Sequence, residues 1–133
     1  GEDAVGVFRN GAWFLDYDND GVPDEIIGYG MTGDLPVSGD WNGDGKDTIG
    51  VFRNGVWFLD YDNDGVPDEI ITYGTTGDRP VSGDWNGDGT DGMGVLRNGV
   101  WFLDYDNNGE VDKIMGYGTT GDLPTSGDWY KIP

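Results

Sequence analysis

Short apolar runs alternate with segments rich in Gly, Asp and Asn along the whole chain. In the middle of the chain the apolar runs cover residues 48–53, 56–61, 69–73 and 80–85. They are rich in β-branched and aromatic residues and are bounded by turn formers, which is typical of strands. No segment repeats its apolar positions with the 3.6-residue period of a helix. The pattern therefore predicts an all-β fold.

The first two of these runs are separated only by Asn54-Gly55. Asn-Gly is the strongest two-residue hairpin signal, because both central positions of a type I′ turn need a positive φ. The turn sets the register of the two strands and places Phe52 opposite Trp57, an aromatic pair that favours the hairpin. The sequence therefore predicts a β-hairpin centred on this dipeptide.

The same pattern occurs three times, at an offset of 44 residues. The sequence VFRNG stands at 7–11 and 51–55, and VLRNG stands at 95–99. Residues 1–44 and 45–88 differ at 7 positions, and residues 45–88 and 89–132 differ at 15. We therefore predict a single repeat domain over residues 1–133, with repeats at 1–44, 45–88 and 89–133.

Strands such as 56–59 are apolar at consecutive positions, so both of their faces are expected to be buried. A sheet with one solvated face would alternate apolar and polar residues instead. Sheets stacked face to face, as in propeller blades, bury both faces. The prediction is a β-propeller built from three four-stranded repeats, and a β-trefoil is the alternative.

The charge balance narrows the possible partners. The chain has 26 acidic residues, 7 basic residues and a net charge of −19, and 14% of its residues are aromatic. The aromatic residues can form a core, and bound cations are the expected compensation for the acidic repulsion. A nucleic-acid partner and an anionic membrane surface are disfavoured. With no Cys, no His and no apolar run of 18 residues, disulfides, thiolate metal sites, histidine bases and membrane insertion are not expected.

A long acidic loop with the pattern D-x-D-x-D-G-x-x-D follows the second strand of each repeat, at 16–24, 60–68 and 104–112. Oxygens at positions 1, 3, 5, 7 (a carbonyl) and 9 can converge on one calcium ion, and Gly at position 6 permits the sharp turn. The candidate ligands are Asp16, Asp18, Asp20, Val22 and Asp24; Asp60, Asp62, Asp64, Val66 and Asp68; and Asp104, Asp106, Asn108, Glu110 and Asp112.

The third long loop is expected to bind calcium more weakly, because Asn108 is a neutral oxygen donor. Position 12 is Ile27, Ile71 or Met115, and the flanking segments are strands, so these loops are not EF-hands. The alternative interpretation of the long loops is an acidic, solvated turn without a metal.

A shorter loop, D-W-N-G-D-G-x-D, follows the fourth strand. Its candidate ligands are Asp40, Asn42, Asp44 and Asp47 in one copy and Asp84, Asn86, Asp88 and Asp91 in the next. The closing acid comes one position early compared with the long loop, so a hydrogen-bonded Asx turn without metal is the alternative. A third copy begins at Asp128 but runs into Tyr130 and does not complete the pattern.

The segment 39–47, GDWNGDGKD, followed by an apolar strand, resembles the FG-GAP and VCBS-type repeats. Those repeats build calcium-binding β-propellers in integrin α-subunits, in bacterial and archaeal surface proteins and in some fungal lectins. The resemblance implies an extracellular or cell-surface, calcium-loaded propeller. It also implies that the short loop joins the innermost strand of a blade to the second strand, with ligands at Asp40, Asn42 and Asp44 and at Asp84, Asn86 and Asp88. The second acidic loop and the presence of only three repeats depart from that family.

With that strand order the innermost strands are 36–41, 80–85 and 124–129. Two blades are continuous, 36–73 and 80–117, and the third is split between 2–29 and 124–129. Propellers typically have about 4–8 blades. We therefore expect a homo-oligomer in which two chains close a six-bladed ring. A trimer, a piece of a longer parent and a monomeric trefoil are the alternatives.

The expected function is a non-catalytic binding or adhesion scaffold with a glycan or a surface protein as its ligand. Candidate ligand-binding pairs are Arg9 with Trp13, Arg53 with Trp57, and Arg97 with Trp101, since these residue types stack on and hydrogen-bond to sugars. The competing interpretation places the Trp residues in the core. A purely structural or engineered self-assembling repeat is the first alternative function, and a glycosidase is the second. A glycosidase using paired carboxylates is disfavoured, because no acid stands outside the repeat pattern.

Overall fold

The computed structural model of the protein describes residues 3–129, and within that range the chain forms eleven β-strands and no helix. The strands are β1 (Val5–Arg9), β2 (Ala12–Asp16), β3 (Glu25–Gly28), β4 (Leu35–Gly39), β5 (Thr48–Arg53), β6 (Val56–Leu59), β7 (Glu69–Thr72), β8 (Arg79–Gly83), β9 (Gly92–Arg97), β10 (Val100–Leu103) and β11 (Lys113–Gly116). The predicted all-β class is confirmed. The predicted outer repeat boundaries, residues 1 and 133, lie outside the described residues.

The strands form three separate antiparallel sheets. The first sheet contains β1, β2 and β3, the second contains β4 to β7, and the third contains β8 to β11, with strands in sequence order in each. This topology contains the predicted outer three strands of the split blade and both predicted continuous four-stranded units.

A helix long and apolar enough to cross a membrane is not found in residues 3–129.

The hairpin at Asn54-Gly55 forms as the sequence predicts. Asn54 and Gly55 have φ values of 51° and 82°, and Phe52 is the register partner of Trp57. Their ring centroids lie 5.5 Å apart at an interplanar angle of 66°. A side chain on Gly55 would meet the carbonyl oxygen of Gly74 at 2.7 Å, so the turn needs glycine for space as well as for conformation.

The sheets pack face to face, and apolar side chains fill the layers between them. The layer between the first and second sheets contains Trp13, Ile27, Tyr29, Ile49 and Val51. The layer between the second and third sheets contains Val37, Trp41, Phe52, Trp57, Leu59, Ile71, Tyr73, Met93 and Val95. The second sheet is therefore covered on both faces, which is why its strands lack a simple alternation.

The innermost strand expected at 124–129 does not form, and that prediction is wrong for the single chain. Residues 124–129 are described but belong to no strand. They run beside the third sheet, where the Ser126 hydroxyl donates a hydrogen bond to the Ser82 carbonyl. The Ser82 hydroxyl donates to the Ser38 carbonyl in the same way. A strand needs a ladder of backbone hydrogen bonds with a neighbour, and the sheet that this segment would complete lies at the other end of the stack.

Candidate metal centres

Each long loop connects the second and third strands of one sheet, and a backbone hydrogen bond closes its base. The amide of the ninth residue donates to the carbonyl just before the first residue, 2.8 Å from Asp68 to Leu59 and from Asp112 to Leu103. Because the two strands pair directly in the sheet, the ends of the loop are held together. The loop is therefore a fixed turn at the edge of a rigid sheet.

The middle long loop brings four carboxylates together. Asp60, Asp62, Asp64 and Asp68 each offer one oxygen, and these oxygens all lie within 4.8 Å of one another. Two oxygens on one calcium ion can be at most about 5 Å apart, twice the metal–oxygen distance. Asp60 is fully buried, while the other three side chains are exposed. The group could hold a metal ion that rests on a buried base and opens to solvent.

Backbone amides fix the direction of the buried carboxylate. Asp60 Oδ1 accepts hydrogen bonds from the amides of Asp62 (3.2 Å) and Asp64 (3.3 Å). Its Oδ2 accepts from Gly65 at 2.8 Å, where φ is 82°. At the other end, Asp68 Oδ2 accepts from the Tyr61 amide at 2.7 Å. These bonds fold the loop around Asp60 and turn Asp68 back beside it.

The other two long loops repeat this arrangement with three acids each. The two groups are Asp16, Asp18 and Asp24 in the first sheet, and Asp104, Asp106 and Asp112 in the third. The fifth-position residues Asp20 and Asn108 accept hydrogen bonds from the amides of Val22 and Glu110, each at 2.9 Å. These two residues lie outside the acid groups. Ligation by them, and by the position-7 carbonyls of Val22, Val66 and Glu110, stays a prediction.

Burial, hydrogen bonds and neighbouring carboxylates shift the pKa values of several loop acids. Desolvation, the hydrogen bond with Asp60 and the charge of Asp64 raise the pKa of Asp62. Desolvation is also the first cause that raises the pKa of the buried Asp104. In Asp16 desolvation acts in the same direction, but hydrogen bonds from the amides of Gly21 and Asp20 outweigh it and lower the pKa. A bound cation would remove the repulsion that disfavours the ionised forms.

Two buried tyrosines beside these loops were not identified from the sequence. Tyr29 and Tyr73 are buried, and neither hydroxyl has a hydrogen-bond partner among the described residues. Tyr29 follows β3 and lines one cavity together with Gly65 of the middle long loop, and burial and then the charges of Asp60 and Asp68 raise its pKa. Burial and the charge of Asp104 act in the same way on Tyr73. The signal that could have revealed them is Tyr at one position in every repeat.

The fourth residue of each long loop, an Asn, was also missed. Asn19, Asn63 and Asn107 have φ values of 56° to 58°, a left-handed conformation that Asn tolerates better than most residues. Asn63 Oδ1 accepts a hydrogen bond from the Ile49 amide at 2.9 Å, and Asn107 Oδ1 accepts from Met93 at the same distance. Each Asn therefore ties its loop to the first strand of that repeat. Its threefold occurrence at one loop position was the available signal.

The short loops have the same hydrogen-bonded first turn as the long loops, but their acids do not converge in the same way. Asp84 accepts hydrogen bonds from the amides of Gly87, Asp88 and Gly89 at 2.9, 3.1 and 2.9 Å, and Asp40 accepts the equivalent three. Within the described range, the His, Cys, Asp and Glu residues of the short loops form no metal-sized group of three. Metal binding by Asp40, Asn42, Asp44, Asp47, Asp84, Asn86, Asp88 and Asp91 stays a prediction.

The acid expected to close the second short loop contacts a different loop. Asp91 Oδ2 accepts a hydrogen bond from the Asp40 amide at 2.7 Å, and the Asp91 amide donates to the Asp40 carbonyl at 2.8 Å. This pair links the short loops of the second and third sheets. Its geometry supports a structural role for Asp91.

The candidate Arg and Trp pairs lie at the strand hairpins. Trp13, Trp57 and Trp101 are buried in the apolar layers, so their faces are not open for stacking against a sugar. Arg53 forms a bidentate ion pair with the buried Asp34, with both N–O distances 2.7 Å, and its guanidinium lies 4.7 Å from the Phe58 ring. This guanidinium holds the pKa of Asp34 below its usual range.

Arg97 repeats the arrangement with Asp78 and Phe102. Arg9 lies 5.0 Å from the Phe14 ring and has no ion pair within residues 3–129. Ligand binding by the Arg and Trp pairs stays a prediction, and the observed geometry accounts for them as core and hairpin residues.

The chain gives no match to a protein-family model, to a curated protein or to a solved structure. Its own repetition therefore supplies the comparison on which a functional interpretation rests. The converging carboxylates lie in three loops of similar sequence, at equivalent positions in the three sheets.

Proposed function

We propose that this chain is a non-catalytic, calcium-binding β-propeller module whose long loops hold structural calcium ions. The observation that carries the proposal is the middle loop, in which four carboxylate oxygens lie within 4.8 Å of one another around the buried Asp60. The same loop recurs in the two neighbouring sheets with three converging acids each. Repetition at equivalent places favours a shared role for the three loops.

The donor set favours calcium over other metals. All available side-chain donors are oxygens, since the chain has neither His nor Cys, the main ligands of zinc and the soft metals. Calcium accepts about 6–8 oxygens in flexible geometry, whereas magnesium demands a near-ideal octahedron and retains several waters. The exposed side of each loop leaves room for water to complete the coordination sphere. A hard, large, divalent cation is therefore the best fit.

A structural role follows from the position of the loops between sheets. A side chain on Gly65 would lie 3.3 Å from the Gly28 carbonyl, so the middle loop rests against the third strand of the preceding sheet. Tyr29, which follows that strand, lines one cavity with Gly65, and its buried hydroxyl has no hydrogen-bond partner among the described residues. An ion in the loop would neutralise charge at this junction and stabilise the packing of the two sheets. It would also offset part of the net charge of −19.

The sheet arrangement supports blades of a propeller over a trefoil. Each sheet contains strands that are consecutive in the sequence, and the sheets pack face to face with aromatic layers between them. Propeller blades have this construction, whereas a trefoil closes strands of all repeats into a common barrel. The proposal extends to an extracellular or cell-surface location, as the resemblance of the short-loop motif to repeats of surface proteins implies, and modules there bind calcium with dissociation constants of about 10⁻⁴–10⁻³ M. A scaffold role is favoured over sugar binding, because the candidate Trp residues are buried.

Calcium titration of the chelator-treated protein by calorimetry tests the proposal. The wild-type chain is expected to bind calcium at the long loops with dissociation constants near 10⁻⁴–10⁻³ M. Asp62→Asn is expected to weaken one of these sites at least tenfold. Asp3→Asn, which removes the same charge from an exposed residue outside the loops, is the matched control and should leave the titration unchanged. No heat of calcium binding by the wild-type chain would refute the proposal.

A further inference from the structure

The two ends of the sheet stack expose residues that are buried inside it. On β1, at one end, Val5 is 64% exposed and Val7 is 53% exposed. Their counterparts one repeat later on β5, Ile49 and Val51, are 2% and 1% exposed because the first sheet covers them. The outward face of the first sheet is therefore built to be covered by another sheet.

The opposite end of the stack shows the complementary face. Tyr117, after β11, is 74% exposed, whereas its counterparts Tyr29 and Tyr73 are 5% and 4% exposed. Met115 is 37% exposed, compared with 9% for Ile71. Within the chain, the residues equivalent to Tyr117 and Met115 contact the next sheet. The free face of the third sheet thus carries the side chains that cover a first strand elsewhere in the molecule.

The first sheet also lacks one strand. In the second sheet β4 pairs with β5, with Val37 opposite Gly50 and Ser38 opposite Ile49, and in the third sheet β8 pairs with β9 in the same register. The outer edge of β1 has no such neighbour in residues 3–129. The segment equivalent to β4 and β8 is 123–127, which is described but pairs with no strand. An unpaired edge and an unpaired strand segment of matching sequence therefore lie at opposite ends of one stack.

A charged pair is divided between the same two ends. Arg53 binds Asp34, and Arg97 binds Asp78, each pair joining residues 19 apart in the chain. The counterpart of these acids in the last repeat is Asp122, whose Oδ2 accepts the Thr119 amide at 2.8 Å, as Asp78 accepts Thr75. The counterpart of the arginines in the first repeat is Arg9, which stacks on Phe14 without an ion pair among the described residues.

We propose that a second copy of this chain docks head to tail on the first, so that segment 123–127 of each copy becomes the fourth strand of the other copy's first sheet. The register of β4 on β5 places Thr125 opposite Gly6 of the second copy and Ser126 opposite Val5 of the second copy. Asp122 then faces Arg9 of the second copy. The contact repeats, between chains, the packing that the chain already makes between its own sheets.

Two copies are the number that closes the arrangement. Each copy supplies two complete four-stranded sheets and the two parts of a third, so a pair has six. Closed rings of such sheets contain about 4–8, which one copy falls short of and three copies exceed. The serine chain from Ser126 to Ser82 to Ser38 would become continuous, with Ser38 donating to Ser126 of the second copy. Closure also removes the exposed edge of β1, which would otherwise recruit other strands. This inference rests on the propeller arrangement of the proposed function and does not require the metal.

A charge-reversal series tests the pairing, with mass measured by light scattering in calcium. The wild-type chain should have about twice its 14.4 kDa monomer mass. Arg9→Asp and Asp122→Arg should each weaken the dimer by roughly a hundredfold, because like charges then meet at the interface. The double variant should restore it. Lys46→Asp, a charge reversal in an exposed short loop, is the control, and circular dichroism shows whether each variant keeps its β structure.

A disulfide trap tests the register independently, because the chain has no Cys of its own. Val5→Cys combined with Ser126→Cys should give a covalent dimer on oxidation, since directly opposed residues on paired strands bring their Cβ atoms within reach. Val22→Cys with Ser126→Cys is the control pair and should stay uncrosslinked under the same conditions. A monomeric wild-type chain, an open series of larger sizes, or equal cross-linking by both cysteine pairs would overturn the proposal.

Discussion

The middle long loop (60–68) and the short loop at 84–91 begin with the same hydrogen-bonded turn, but the last acid of each loop contacts a different partner. Asp60 and Asp84 each accept three backbone amide hydrogen bonds from their own loop. In the long loop the last acid, Asp68, turns back beside the first and bonds to Tyr61. In the short loop the last acid, Asp91, points away from its own loop and bonds to the backbone of Asp40 in the short loop of the second sheet.

The two loops also differ in sequence, since the short loop has Asn86 in place of an acid at position 3 and its last acid at position 8. Both loops have oxygens at positions 1, 3 and 5, but only the long loop places four carboxylates within 4.8 Å of one another. Burial differs as well, since Asp60 is fully buried and Asp84 is exposed. The closing acid and the buried first acid therefore distinguish a candidate metal loop from a loop that joins repeats.

The largest expected effect is that of removing calcium from the long loops. If each site binds at about 10⁻⁴–10⁻³ M, then 10 mM calcium stabilises the fold by roughly 1–3 kcal/mol per site. Three sites together should raise Tm by roughly 10 °C or more. Calorimetric melting in calcium and in chelator measures the difference, and magnesium at the same concentration serves as the control. Equal melting curves in calcium and in chelator would mean that the long loops are ordinary acidic turns.

A matched pair of substitutions compares the two loops directly. Asp60→Asn should remove the calcium-dependent stabilisation of one site, about 2 kcal/mol, because it withdraws the buried charge at the base of the loop. Asp84→Asn should leave the calcium-dependent part unchanged. Both variants lose one carboxylate that accepts three amides, so their difference isolates the metal. Denaturant unfolding with and without calcium provides the values.

An equal loss of calcium-dependent stability in the two Asp variants would contradict the comparison. In that case the short loop would hold an ion as firmly as the long loop, and Asp91 would not be the deciding residue.

The Arg53–Asp34 ion pair lies outside the long loops, and its contribution to stability depends on pH rather than on calcium. Arg53 lowers the pKa of Asp34, so the pair contributes stability above the unfolded-state pKa, about 3.9, and that contribution is lost as the pH falls through the lower folded-state pKa. Asp34→Asn should cost about 2 kcal/mol at pH 7, since it breaks a partly buried ion pair. It should also flatten the acid transition, and both effects should persist in chelator. Acid titrations followed by circular dichroism can measure this, and an unchanged acid transition would be the opposing result.

The smallest predicted effect concerns the weaker third loop. Asn108→Asp supplies the charge that the first two loops have at position 5, so it should tighten calcium binding there by about three- to tenfold. Asn86→Asp in the short loop is the matched control, and it should not create a calorimetric site. Binding that is weakened or unchanged by Asn108→Asp would show that position 5 does not contact the ion.

The local features of the fold could be predicted from the sequence. The turn at Asn54-Gly55 and the pairing of Phe52 with Trp57 depend on residues close in sequence, and both are confirmed. The strand predicted at 56–61 ends instead at Leu59, because Asp60 accepts the loop amides and belongs to the turn. Interactions between residues close in sequence were therefore sufficient to predict these strands, and nearly sufficient to predict where they end.

Features that depend on contacts between repeats could not be predicted. The link from Asp91 to Asp40 spans 51 residues, and the place of Tyr29 beside the loop of the next sheet depends on how two sheets pack. The segment 124–129 has strand-like sequence but forms no strand, because the edge that it matches lies at the far end of the stack. Sequence spacing specifies a repeat, whereas these features arise between repeats.

A crystal structure of the wild-type chain grown in ample calcium tests the central claim most directly. The account predicts an anomalous density peak in the middle long loop, about 2.3–2.6 Å from oxygens of Asp60, Asp62, Asp64 and Asp68. Equivalent peaks are predicted in the loops at 16–24 and 104–112. Well-ordered long loops that enclose no ion under these conditions would contradict it.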